Sequence, residues 1–180
     1  MVKLGASELR TTIPDPNHLK QIKKNPVYLI IDNVLDTYNI GAIFRLADAV
    51  AATRVIICGA SEVPPHTRIK KASINTTEWV DWKYSPSAVD AIKDLRLEIK
   101  DIQVVGVELD KKSKPYDQID YSFPAALVVG HESNGLSHET ISACDIIAEI
   151  PMWGVNKSMN VMVSLAVVLF EVMKQYRELS

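Results

Sequence analysis

The 180-residue chain is poor in the features that mark several large protein classes. It has only two cysteines, Cys58 and Cys144, each at or beside an apolar, strand-like run. Their number and spacing exclude a disulfide scaffold and a cysteine-built metal site, and both read as buried free thiols of a reducing compartment. Only one glycine, Gly41, falls between Asp32 and Gly41 after the first apolar strand, so the G-x-G-x-x-G turn of a nicotinamide-dependent oxidoreductase is missing. No G-x-x-x-x-G-K-[ST] stretch occurs, which excludes a P-loop phosphotransferase. Positive charge is not in excess: 20 Lys and Arg face 22 Asp and Glu, for a net charge of −2. That excludes an indiscriminate nucleic-acid coat protein. The longest charge-free apolar run, within residues 159–170, is too short to span a bilayer. The first residues lack a basic-then-apolar leader pattern. These absences predict a cytoplasmic protein with no membrane partner. Internal repeats and low-complexity tracts are also missing.

What is present is 47% hydrophobic and 23% charged residues, the balance of a globular domain long enough to bury a proper core. Residues 1–26 are polar and punctuated by Pro14, Pro16 and Pro26, and predict a short appendage with a helix over 18–24. Residues 27–180 predict one domain. It begins with a strand (VYLIID), a turn over 33–37, a helix over 40–51 and a strand over 55–58. A loop-rich stretch, 60–84, carries Pro64, Pro65, Trp79 and Trp82. A helix over 87–100 and a strand over 102–107 follow, then a charged loop with Pro115 and Pro124 and a strand over 125–129. A short helix (137–143), a last strand (145–150) and a final helix from about Ser158 to Tyr176 complete the order. Strands that are near-continuous apolar runs alternating with helices indicate an α/β fold, a parallel sheet covered by helices on both faces. Ligands of such sheets sit beyond the carboxyl ends of the strands. The final helix is apolar around nearly its whole circumference in its first three turns, which predicts burial on several sides, within one chain or partly against a second subunit.

Three segments crowd polar residues at strand ends. The first is NIGAIFRLADA, residues 39–49, with Asn39 where a helix cap would sit and Gly41 allowing close approach to the backbone. Arg45 lies about 9 Å further along that helix among apolar neighbours, where a guanidinium is expected to find a carboxylate, Asp48 being the internal candidate, or a phosphate. The second, AALVVGHESNGLS, runs from a buried strand into a turn with Gly130 and Gly135 around Glu132. The third, IPMWGVNKSMNVMVSLAVVLFE, is a strand end, a polar loop and a helix start. Free amides at that start suit a small polar ligand, or a plain cap by Ser158 or Asn156.

In this order the three segments resemble the signature motifs of the SpoU (TrmH-type) methyltransferases of the SPOUT superfamily: N-x-G-A-x-x-R, then G-x-E-x-x-G-L, then I-P-M-x-G-x-x-x-S-L-N-V. The resemblance spans about three quarters of the chain. It implies a C-terminal trefoil knot and transfer of a methyl group from S-adenosyl-L-methionine to a ribose 2′-hydroxyl of structured RNA. It further implies a homodimer through the C-terminal helix region. By the same resemblance the catalytic set is Asn39, Arg45, Glu132, Ser158 and Asn160. The donor is held mainly by backbone groups at Gly130, Ile150, Met152, Ser158 and Met159, with Glu108 at the edge. Arg45 falls at the target ribose. Because a guanidinium keeps its proton, positioning a phosphate and stabilising a developing alkoxide suit it better than a general-base role. No metal is implied, and His131 and His138 read as surface residues. Met159 stands for the usual leucine, Lys157 where an acidic or small residue is common, and Asn75–Thr76 for a frequent Gly-Ala. The competing reading is a non-catalytic RNA-binding protein that retains the fold. Of possible substrates, tRNA is favoured over rRNA because no long N-terminal RNA-binding domain precedes the motifs. Three basic clusters are candidate phosphate contacts: Lys20, Lys23 and Lys24; Arg68, Lys70 and Lys71; Lys111, Lys112 and Lys114.

Overall fold

The computed structural model describes residues 3–179. Seven parallel strands form one sheet in the order β3-β2-β1-β6-β4-β7-β5. They are β1 (Asn25–Asp32), β2 (Ala52–Cys58), β3 (Trp82–Ser85), β4 (Gln103–Val107), β5 (Lys114–Pro115), β6 (Ala125–Val129) and β7 (Ile146–Glu149). Between them lie α3 (Thr37–Ala49), α4 (Thr67–Ser73), α5 (Ala88–Glu98) and α6 (His138–Ala143), and α7 (Val161–Leu179) ends the chain. Two short helices, α1 (Ala6–Leu9) and α2 (Pro16–Lys20), precede the sheet and contain no buried residue.

The alternation of side chains along a strand explains why β1 is apolar throughout. Leu29 and Ile31 face a core with Ile43, Phe44, Leu165 and Leu169 from α3 and α7. Ile30 faces the opposite core, with Ala91, Ile92 and Leu95 of α5. The expected sheet covered on both faces is therefore what forms. Cys58 is buried and Cys144 half-buried, both free. Burial pushes each thiol up to about 12, so neither is a thiolate near neutrality.

Four expectations need correction. The 60–84 region holds α4 and the edge strand β3, which the composition hid: α4 buries only Ile69 and Ser73, and β3 only Ser85. The N-terminal helix is Pro16–Lys20, started by Pro16 and capped by Asp15, and does not reach residue 24. Helix α3 begins at Thr37, one turn earlier than its apolar periodicity suggests, because the Asp36 carboxylate accepts from the Tyr38 amide at 2.8 Å and caps it. Asn39 is thus inside the helix. Helix α7 begins at Val161, where Asn160 Oδ1 accepts from the amides of Met162 (3.0 Å) and Val163 (3.3 Å), so neither Ser158 nor Asn156 is its cap. Of the two alternatives for its apolar circumference, burial wholly within one chain does not hold, since Val163 and Phe170 are exposed. Gly41 does permit a close approach, and the group is α4, since a Cβ there would lie 2.6 Å from Ala72 Cβ and 2.7 Å from the Ile69 carbonyl.

Candidate active site

The carboxyl ends of β1, β6 and β7 lead into the three polar segments, and a chain of hydrogen bonds ties these together. Glu132, in the turn after β6, accepts from the Leu35 amide (3.1 Å) and the Asp36 amide (2.9 Å) ahead of α3. Its Oε1 also accepts from Asn39 Nδ2 at 3.0 Å. Asn39 Oδ1 in turn accepts from Asn160 Nδ2 at 2.9 Å. Asn160 Oδ1 is committed to capping α7, so the amide orientation of both asparagines follows from the network. Since Asp36 caps α3, the buried Asn39 side chain is free to join Glu132 to Asn160. Burial raises the Glu132 pKa, but the hydrogen bonds from Asp36, Asn39 and Leu35 outweigh it and hold the carboxyl below its ordinary value.

This wall separates two hollows. On one side is a cleft of about 300 Å³ lined by all the residues expected at the donor: Glu108, Gly130, Ile150, Met152, Ser158 and Met159. Gly130 must be glycine, since a Cβ would sit 2.4 Å from the Gly135 carbonyl carbon in the returning turn. The Glu108 carboxylate fastens that turn by accepting from the Leu136 amide at 2.8 Å, and it also takes the Leu109 amide at 2.9 Å. It is therefore more a support than a ligand group. Residues 151–159 make no backbone hydrogen bond among the described residues, and of them Met152, Lys157, Ser158 and Met159 line the cleft with unpaired amides and carbonyls. Such a donor and acceptor set fits the adenine and ribose of S-adenosylmethionine. Glu108, Glu132 and Glu149 outnumber Lys157 and His131 around the cleft, a balance that suits a sulfonium cation.

On the other side Asn39, Arg45 and Asn160 line a hollow of about 490 Å³ with Arg10 and Lys71 and no carboxylate. Arg45 is exposed and pairs with no carboxylate among the described residues. The expected partner, Asp48, instead accepts from Trp79 Nε1 at 2.6 Å. The five expected catalytic residues are thus not one cluster: Asn39, Glu132 and Asn160 form the wall, Arg45 faces the basic hollow and Ser158 the acidic cleft. Sequence reasoning missed Asp36 and Arg10, whereas Lys71 belongs to one of the three basic clusters expected to contact phosphate. Asp36 had the usual signal, an acidic residue just before a helical run.

The family model of the SpoU rRNA Methylase family matches residues 26–170. A 23S rRNA (guanosine-2′-O-)-methyltransferase of Ralstonia nicotianae is 32% identical over 157 residues, covering 87% of this chain and 62% of the relative. A tRNA (guanosine(18)-2′-O)-methyltransferase of Aquifex aeolicus is 32% identical over 161 residues, with 87% and 72% covered. The chain thus spans under two thirds of the length of the first of these relatives. Among solved structures, the A. aeolicus TrmH/SpoU tRNA modifying enzyme superimposes with a TM-score of 0.77 at 25% identity, covering 96% of this chain and 83% of that one. An AdoMet-bound rRNA methyltransferase of Sinorhizobium meliloti gives 0.75 at 28% identity, covering 87% and 59%.

Proposed function

The chain belongs to the SpoU rRNA methylase family, and from that premise we propose that it methylates a ribose 2′-hydroxyl of structured RNA, with S-adenosylmethionine as donor. The observation that carries this reading is the Glu132–Asn39–Asn160 wall between an acidic cleft and a basic hollow. A cationic donor and a polyanionic acceptor each find the opposite charge, and they meet across that wall. When bound, S-adenosylmethionine supplies an electrophilic methyl group on a sulfur that leaves uncharged.

The protein's own task is then to hold the hydroxyl in line and to stabilise charge as it develops. Arg45, free of any carboxylate, holds the phosphate beside the target ribose and stabilises the forming alkoxide. Glu132 has both oxygens occupied and stays ionised, so it acts as a positioning residue for Asn39, not as a base. Asn39 and Asn160 set the ribose edge, and Ser158 faces the donor.

We take tRNA as the favoured substrate and rRNA as the second. The A. aeolicus tRNA modifying enzyme resembles 96% of this chain, which carries the likeness into the segment before residue 26. Val163 and Phe170, exposed and seven residues apart on one face of α7, support a homodimer through that helix. The two unpaired cysteines support a cytoplasmic location. No helix of the described residues is long and apolar enough to cross a membrane.

Calorimetric titration with S-adenosylhomocysteine, alone and with bulk tRNA present, tests the reading. Micromolar binding followed by labelled-methyl transfer to RNA is the expected result. RNA binding with no binding of S-adenosylhomocysteine under either condition would mean a non-catalytic RNA-binding protein on the same fold.

A further inference from the structure

We propose that residues 3–24 form the outer wall of the RNA hollow, clasped there by Asn75 so that Arg10 grips a backbone phosphate next to the target ribose. This rests on the methyltransferase reading above and concerns a segment that the family match, starting at residue 26, does not include.

The segment has little to hold it. Neither α1 nor α2 contains a buried residue. Among the described residues, a single hydrogen bond joins residues 3–24 to the rest of the chain: Asn75 Nδ2 donates to the Leu9 carbonyl at 2.7 Å. The backbone that aims Asn75 is unusual. Ile74 (φ 54°) and Asn75 (φ 63°) are both left-handed. For a β-branched isoleucine this is a strained conformation, which persists only where its surroundings impose it. Ile74 is 93% buried (7% exposed) at the end of α4, and the double left-handed turn brings the Asn75 side chain back towards α1. This is also where the chain departs from the family's Gly-Ala.

The result is a run of like charge. Arg10, Lys71 and Arg45 line the hollow whose floor is Asn39 and Asn160. A second hollow, of about 440 Å³, shares Arg10, Lys71 and Ile74 with it and continues past His66. Neither Arg10 nor Lys71 has an ion pair among the described residues, whereas neighbouring Lys70 is paired with Glu78 at 3.3 Å. Three unpaired cations on one concave surface repel each other until an anion neutralises them. A groove that starts at the target ribose and continues as cations suits the RNA backbone itself, one phosphate per nucleotide.

The test uses the full chain and bulk tRNA, with S-adenosylhomocysteine present, and measures tRNA affinity against salt concentration for Arg10→Ala and Asn75→Gly. Glycine accepts the left-handed backbone, so the second variant removes the clasp alone. Each variant should weaken binding and lower the slope of log K against log salt by about 0.7–0.9, one phosphate contact. Each should raise KM for RNA, keep kcat within about twofold and leave S-adenosylhomocysteine affinity unchanged. Arg10→Lys should restore most of the slope, and the double variant should be no worse than either single one, because both remove the same contact. An unchanged slope in Arg10→Ala, in a wild type that methylates RNA, overturns the proposal and spares the enzymatic reading. An effect in Arg10→Ala but none in Asn75→Gly overturns the clasp. A wild type that binds no S-adenosylhomocysteine and methylates no RNA removes both.

Discussion

Glu132 matters because every lone pair it can direct inward is used. Three donors converge on its two oxygens, so a glutamine in its place must present an NH2 group to at least one of them. Hydrogen bonds to a charged group are worth about 1.5–3 kcal/mol each. The side chain is exposed, though, and screening reduces the expected loss in Glu132→Gln to about 1 kcal/mol. The pH dependence has a definite sign. The folded carboxyl lies below its unfolded value, about 4.3, so its stabilisation is complete above that value and is lost as pH falls through the lower, folded one. Urea midpoints of wild type and Glu132→Gln should therefore differ near neutrality and converge in acid. A gap that stays constant into acid would mean the hydrogen bonds do not depend on the charge. Arg45 poses the opposite case, a side chain that supports nothing in the fold. Arg45→Ala should lower turnover by about 10²–10³-fold, as for loss of one transition-state donor. Its unfolding midpoint and its affinity for S-adenosylhomocysteine should not move. Turnover near wild type would remove Arg45 from the reaction.

Among elements, the start of α7 has two functions that a single atom swap can separate. Asn160 Oδ1 caps the helix, while its Nδ2 donates to Asn39. Asn160→Asp keeps the acceptor, and aspartate caps as well as asparagine, but it sets a carboxylate against the Asn39 carbonyl oxygen. The cap should survive while methyl transfer collapses, and any loss of stability then reports the repulsion at Asn39 and not a lost cap. Asn160→Ala should lose both, the cap alone being worth about 1 kcal/mol. Equal turnover in Asn160→Asp and wild type would reduce the residue to a cap. The same helix start measures how far the sequence was legible. The apolar run of α7 and the order of strands with α3 and α5 follow from periodicity, because burial on two faces leaves continuous apolar runs. The helix boundary was not legible, since Asn156, Ser158 and Asn160 are all cap-competent within five residues and only the contact with Asn39 decides among them. Helix α4 and strand β3 were hidden for a related reason: the one is short and lysine-rich, the other an edge, so neither has an apolar period to read. The two hollows lay beyond reach because Lys71 meets Arg45 only through the packing of α4 on α3, and Arg10 only through the placement of α1.

At the scale of the whole molecule, the order β3-β2-β1-β6-β4-β7-β5 brings loops distant in sequence to one edge of the sheet. Helix α7 packs against α3 and against β6 and β4. Family membership implies that this C-terminal segment is threaded as a trefoil knot, an exception to the rule that chains avoid knotting. Whatever the threading, α7 is left half covered: Leu165, Val168, Leu169 and Val172 are buried, while Val163 and Phe170 face outwards with Val167 half-buried between them. A stripe at helical spacing that stays apolar without a partner in its own chain is what the proposed homodimer would cover. Since Val163 also lines the basic hollow, a second copy seated on the stripe would border the RNA path. Phe170→Glu places a charge in that stripe and should give a folded monomer by sedimentation, where the wild type sediments at twice the chain mass. Its affinity for S-adenosylhomocysteine should persist, because the acidic cleft lies apart from Phe170, whereas RNA methylation should fall if the hollow needs the second copy. A wild type that sediments as a monomer would leave the stripe without that role. A monomeric Phe170→Glu with full activity would instead make the dimer dispensable for catalysis.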